Sequence, residues 1–406
     1  MTIEVYINWK KESLLVGRLY TSERNPSTSF EYASEWIQRS DAFAIDPTSL
    51  PLRTGPHHAA SLFGVFQDCG PDRWGRLLIE RAARKGLRSD PLRQDIDYVL
   101  ALEDNSRIGA LRFSLGKKGA FLADSAGKVP PLLSIGALLN AANAVHEETE
   151  TAEDLRYLLA LGSPLGGARP KSAVSLKDEQ LAIAKFPKPD DIRDIAAGEI
   201  LALTLAKQAG INVAEHRLLS VRGKSVSIIT RFDRKGEERI PFLSGNTLLG
   251  LTQNDPGAYT LLADGIRQFG DNIDADLQEM WRRLVFSLLA SNYDDHLRNH
   301  GFLMLRAGRW SLSPAYDLNP VPETERSRTP KTPITEDLSS SSIAMALDAA
   351  PRFALTRTEA KNILKEVLHV ILGWKDVGRK LGIKASTLHA YASAFENPLI
   401  EEAKQL

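Results

Sequence analysis

Two oxygen-bearing side chains five residues apart, Asp294 and Asn299, stand between an amphipathic helix and a hairpin whose far end carries Asp317. The helix is read from Leu277, Met280, Trp281, Leu284, Val285 and Leu288, which recur at three- and four-residue spacing. Such a stripe must pack in a core, and packing it fixes the loop that leaves its C-terminal end. Gly301 to Leu305 and Arg309 to Ser313 read as two strands around a turn at Arg306-Ala307-Gly308. Pairing them, with axes ~5 Å apart, brings Asn299 before the first and Asp317 after the second to the same end. One carboxylate and one amide oxygen suit magnesium, which takes few protein ligands and completes its shell with water and phosphate. His296 and His300, four apart, would suit zinc on a helix, but Leu297 stands where a zincin has glutamate, and a strand begins at Gly301. His300 is then a packing or hydrogen-bonding residue, and Asp295 a helper or a solvated neighbour.

A second constellation lies upstream. Leu161 to Ser172 contains Gly162, Gly166 and Gly167, and glycines let consecutive N–H groups face one concavity that suits an anion. It is not a Walker A loop, since Pro170 precedes Lys171, and a structural turn is the alternative. Two strand-like runs follow, Ala173 to Leu176 and Leu181 to Phe186, the second carrying Lys185 among apolar neighbours. A buried ammonium needs a counter-charge, and the next helix, about 195–209 and stopped by Gly210, offers Glu199. A strand lysine paired with a helix glutamate behind a glycine-rich hairpin is how kinases hold the nucleotide's phosphates, and their catalytic loops space aspartate and asparagine by the same five residues. The alternative is an ordinary structural ion pair. Val213 to Val221 and Ser225 to Phe232 form a further hairpin, and Thr230 to Arg234 then occupies the place of an adenine-binding hinge.

Composition bounds the rest. A length of 406 residues suggests two or three domains. Lys plus Arg equals Asp plus Glu at 51, so the chain lacks the basic excess of a protein living on non-specific phosphate contacts. A single cysteine, Cys69, excludes a disulfide framework and a cysteine-built metal site, and fits a reducing cytosol. No apolar run approaches the ~18 residues of a membrane span, and Ile3, Val5, Ile7 and Trp9 alternate like a strand rather than a signal peptide. These features predict a soluble intracellular protein. Pro71 to Arg93 reads as a basic helix, 120–130 as a linker, Ser134 to His146 as a helix and Glu147 to Glu153 as an exposed acidic run. The polar stretch Asn319 to Ser342, with Thr329-Pro330 and Thr332-Pro333, suggests mobility and substrate contact.

With these motifs in view, the chain resembles the HipA-like serine/threonine kinases, toxins of bacterial toxin–antitoxin systems. Pro71-Asp72-Arg73-Trp74-Gly75-Arg76 resembles a motif of that family's N-terminal module, Gly166 to Lys171 its phosphate loop and Ala184-Lys185-Phe186-Pro187 its ATP lysine. Asn292 to Asn299 resembles its Asn-x-Asp-x-His-x-x-Asn loop, and Ser313 to Leu318 its metal-binding segment. The resemblance implies an α+β, two-lobed protein-kinase-like fold, with a mixed α/β N-terminal lobe and a mostly helical C-terminal lobe. The expected parts are an N-terminal module over 1–122, a nucleotide-binding part over 130–235 and a helical lobe over 236–406.

The same resemblance implies ATP and Mg²⁺ as cofactors, with Asp294 as catalytic base and Asn299 and Asp317 as metal ligands. It makes Lys185 the nucleotide lysine, with Gly166, Gly167, Ala168, Arg169 and Lys171 over the phosphates and Ser163, Glu199, Phe232 and His296 completing the nucleotide contacts. Implied partners are a HipB-like helix-turn-helix antitoxin, operator DNA mainly through that complex, and a protein substrate such as an aminoacyl-tRNA synthetase, in the cytoplasm and away from membranes. One departure stands out: family members often autophosphorylate a serine ahead of the loop glycines, and here Pro164 restricts its neighbour Ser163 to extended conformations. A silent kinase-fold co-repressor and a small-molecule or lipid kinase are the alternatives.

Overall fold

The computed structural model describes the chain except residues 24, 90, 91, 117–119, 123–130, 160–166, 178, 179, 253, 254, 324, 326–328 and 338–340. Most of the expected linker therefore lies outside the described residues. The chain divides into two compact units that interleave in sequence, the first comprising Met1–Asp190, Ser220–Leu243 and Leu303–Gly308.

In the first unit the N-terminal alternation forms β1 (Thr2–Trp9), antiparallel to β2 (Glu12–Thr21), and Ile3, Val5, Ile7 and Trp9 are its buried face. With β3 (Thr28–Tyr32), β4 (Pro56–Ala59) and β5 (Leu111–Ser114) they make a sheet ordered β4-β3-β2-β1-β5. Gly17 is required there, because a Cβ would lie 2.3 Å from the Glu31 carbonyl. The basic helix runs Arg73–Arg84, shorter than its sequence pattern suggests. Asp72 caps its start by accepting from Gly75 N, and Gly86, at φ +70°, follows its end.

The acidic run is exposed at Glu147, Glu148 and Glu153, as expected, but not at Glu150. Glu150 is buried, with Arg81 Nη1 2.9 Å and Lys85 Nζ 3.6 Å from its carboxylate, while Glu148 takes Arg81 Nη2 at 3.1 Å. Arg81 of the Arg73–Arg84 helix, and Lys85 just after it, thus find acidic partners within the same chain. A second sheet contains β6 (Lys171–Ser175), β7 (Leu181–Lys185), β8 (His216–Val221) and β9 (Lys224–Thr230) in the order β6-β7-β9-β8.

Burial pushes Asp46 up to about 6, although Thr48 N and Ser49 N donate to its Oδ1. A raised folded-state value adds stability below the ordinary carboxylate range, about 3.9, and that stability is lost as pH rises towards 6. Asp46→Asn should therefore gain stability relative to wild type between pH 4 and 6, roughly, and hold that gain above. Urea unfolding of both proteins at pH 4, 5, 6 and 8 checks it; a pH-independent difference would refute it.

The second unit, Asp191–Leu219, Ser244–Phe302 and Arg309–Leu406, is mainly helical. The helix Ile195–Gln208 is buried along most of its length, and Asp194 caps it by accepting from Ala197 N. Gly198 is where it admits Tyr391, whose hydroxyl lies 2.0 Å from where a Cβ would stand. The predicted stripe is the buried face of Ile273–Leu289, and Trp281 Nε1 donates to Ala346 O. Sheets in the first unit and helices in the second match the fold class expected. Among the described residues no helix is long and apolar enough to cross a membrane.

Candidate active site

The loop from Ala290 to His300 is built by its neighbours in the second unit. Ser291 turns the chain out of the helix at φ +53°, and its hydroxyl donates to Ala394 O while accepting from Asn397 Nδ2. Asn292 bridges two segments: its amide donates to Ser287 Oγ at 3.2 Å, and its carbonyl accepts from Asn319 N at 3.0 Å. At the other end Tyr316 OH donates to Arg298 O at 2.8 Å, and Ser313 N to Gly301 O at 2.9 Å. Asp317 therefore lies between two anchors to the loop that carries Asn299, as the hairpin argument requires.

Asp317 sits in the left-handed region at φ +57°, a conformation costing a non-glycine residue about 1–3 kcal/mol. Asn319 Nδ2 donates to its Oδ1 at 3.1 Å. Asn299 is buried, and its Oδ1 has no hydrogen-bond partner among the described residues. An orphaned buried carbonyl oxygen costs about 1–3 kcal/mol unless something binds it. A hard divalent cation is such a ligand, and an amide oxygen beside a carboxylate segment fits magnesium.

The adjacent aspartates have opposite surroundings. Asp294 is about half exposed, and Lys331 Nζ lies 2.5 Å from its Oδ1. Asp295 is buried rather than solvated: Tyr259 OH and Ser287 Oγ donate to its Oδ2, and His300 Nε2 lies 3.2 Å away, off the hydrogen-bond axis. Burial alone would raise Asp295, but the His300 and Tyr259 contacts hold it below the usual carboxylate range. His300 packs edge-on against Tyr259, the packing role its position suggested. His296 is held below its ordinary value by burial, opposed by the nearby Asp317 charge. Leu297–Asn299 is a single 3₁₀ turn, so His296 and His300 do not share a helix face.

Described residues of the segment after Asp317 are anchored by backbone bonds. Val321 N donates to Ser291 O, Lys331 N to Tyr293 O, and Tyr259 N and Thr260 N to Pro333 O and Ile334 O. Those backbone bonds bring Lys331 to Asp294, a contact no local pattern announces.

In the first unit, β6 pairs with β7 so that Lys171 stands directly opposite Lys185. Lys171 is buried and Lys185 partly buried. Gly167 takes φ +100°, and a Cβ on it would lie 3.6 Å from Lys171 Nζ. Gly167 and Ala168 are exposed and Arg169 partly buried, whereas Ser163 and Gly166 lie outside the described residues. Phe232 packs on the cluster of Ile108, Phe242 and Leu303, between Arg231 and Asp233. Glu199 is buried in the Ile195–Gln208 helix of the second unit.

Comparison with known proteins bears on both units. Residues 163–374 match the family described as the HipA-like C-terminal domain, and residues 6–114 the HipA N-terminal domain. The chain belongs to the HipA-like family. A Haemophilus influenzae protein named "Putative kinase" is 27% identical over 187 residues, 40% of this chain and 54% of that protein. A Sinorhizobium fredii protein named "Putative kinase Y4dM" is 29% identical over 153 residues, 34% of this chain and 36% of that protein. The chain thus spans about half or less of the length of these curated relatives. HipA of Shewanella oneidensis, solved with HipB and its operator DNA, has the same fold, with a TM-score of 0.69 at 16% identity over 100% of this chain and 99% of that one.

Proposed function

We propose that this chain is an ATP- and Mg²⁺-dependent serine/threonine protein kinase acting as the toxin of a toxin–antitoxin pair. The observation that carries the reading is the buried Asn299 Oδ1, left without a partner among the described residues in a loop cross-linked on either side of Asp317. The kinase names of two relatives support it. Magnesium held by Asn299 and Asp317 would neutralise charge on the nucleotide's phosphates.

The remaining work falls to the chain's own groups. Asp294, on the exposed side of the loop, receives the proton of the attacking hydroxyl, and Lys331 keeps that carboxylate in one orientation until substrate arrives. Asp295, bonded inward, holds the loop's shape. Lys171, Lys185 and the loop from Gly166 to Arg169 take the phosphates, and Phe232 lies on the segment proposed for adenine. An antitoxin resembling HipB is the proposed partner, contacting operator DNA as a complex, with a cytoplasmic protein as substrate.

The direct test is incubation with labelled ATP and magnesium. Wild-type protein should form phosphoprotein, and Asp317→Ala should lose that labelling at least about a hundredfold, as expected when a transition-state charge partner is removed. Equal labelling of both would overturn the assignment.

A further inference from the structure

The Asp72-Arg73-Trp74 stretch has no part in the function so far, yet it holds a phosphate-loop residue from two sides. Asp72 Oδ2 lies 2.5 Å from Lys171 Nζ, both side chains almost fully buried, and Trp74 Nε1 donates to Lys171 O at 2.9 Å. The other Asp72 oxygen caps the Arg73–Arg84 helix through Gly75 N at 2.8 Å. The carboxylate is thereby fixed to a rigid element before it meets the lysine.

Sheet geometry shows why Lys171 needs fixing. Directly opposed residues of an antiparallel pair project from the same face, and like charges so placed repel. Lys171 and Lys185 are such a pair. A strand register that sets two lysines on one sheet face suits a site for anions. Asp72 supplies one negative charge at the buried member, and the glycine-rich loop passes over that ammonium at Gly167.

We propose that Asp72 and Trp74 are positioning residues of the nucleotide site, holding Lys171 beneath the phosphate loop so that the triphosphate meets two correctly spaced cations. The inference deepens the nucleotide reading and rests on it. It assigns the N-terminal domain a positioning part in phosphate binding, exerted through Lys171.

Asp72→Asn separates this role from helix capping, because asparagine caps as well as aspartate does. It leaves Lys171 buried without its counter-charge, so Asp72→Asn/Lys171→Met, which removes the pair together, guards against a folding defect. Calorimetric titration of each protein with ATP and with adenosine reads the outcome. Both variants should bind ATP about tenfold to a hundredfold more weakly, the loss expected for a charge-assisted contact, with adenosine affinity unchanged. Trp74→Phe should show a smaller loss with the same selectivity. ATP affinity of a folded Asp72→Asn protein equal to or tighter than wild type would overturn the inference alone, as would equal losses for ATP and adenosine. Wild-type protein that binds no ATP would overturn the nucleotide reading itself, and this inference with it.

Discussion

Replacing Asp294 with asparagine is expected to slow phosphoryl transfer by about 10²–10⁴-fold, the usual contribution of a positioned proton acceptor, while leaving the fold intact. The amide keeps the shape and one hydrogen-bonding oxygen but cannot take a proton at neutral pH. The stability side follows from exposure. The Asp294–Lys331 pair is about half exposed at both ends, and such ion pairs contribute about 0–1 kcal/mol. Asp295→Asn should behave in the opposite manner. Its carboxylate is buried against Tyr259, Ser287 and His300, and truncating a buried charge network costs about 3–5 kcal/mol. Transfer rates from labelled ATP, measured beside urea unfolding midpoints, separate the two. An Asp294→Asn protein that transfers phosphate at the wild-type rate would remove Asp294 from the chemistry.

That contrast marks what is legible in the sequence. The proposal of Asp294 over Asp295 rests on a five-residue interval and needs only local order: helix, loop, hairpin, Asp317. The stripe from Leu277 to Leu288 and the two strand runs that become β6 and β7 are likewise set by spacing over a few turns or one hairpin. Partnerships between distant segments are not legible. Lys331 meets Asp294 because the chain between them is pinned at Val321 and Lys331, and Lys171 meets Asp72 across nearly a hundred residues. Glu150 reads as solvated because an acidic run has that composition; the Arg81 guanidinium that buries it belongs to a helix whose facing partner no periodicity names. Charges pair wherever the fold brings them together, and a one-dimensional pattern carries that only when both partners share an element.

Removing the Asp233 carboxylate should produce the largest loss of stability in the first unit. Arg231 donates to it through Nε at 2.8 Å and Nη2 at 2.6 Å, Arg234 through Nη1 at 2.6 Å, and Gly109 through its backbone N at 2.8 Å. The same arginines reach back to Ser106 O and Arg107 O, and Asp104 gathers Arg107, Arg112 and Arg239 beside them. Asp233 and Arg231 have no exposed side-chain surface. Asp233→Ala therefore leaves two guanidinium groups and one N–H without their acceptor, about 3–5 kcal/mol of a total typically 5–15. Burial by itself would raise Asp233, but Arg231 and Arg234 hold it well below the usual carboxylate range. A depressed folded-state value contributes stability that is complete above about pH 4 and is lost as pH falls below it. Wild type should accordingly lose stability on acidification where Asp233→Ala loses less, the reverse of the Asp46 trend. Because Phe232 lies between the two anchored residues, a folded Asp233→Ala protein should also bind ATP more weakly. Denaturant unfolding at pH 7 and pH 3.5 checks the stability claim; a loss under about 1 kcal/mol at pH 7 would show that the arginines find other acceptors and that this cluster does not hold the Phe232 segment.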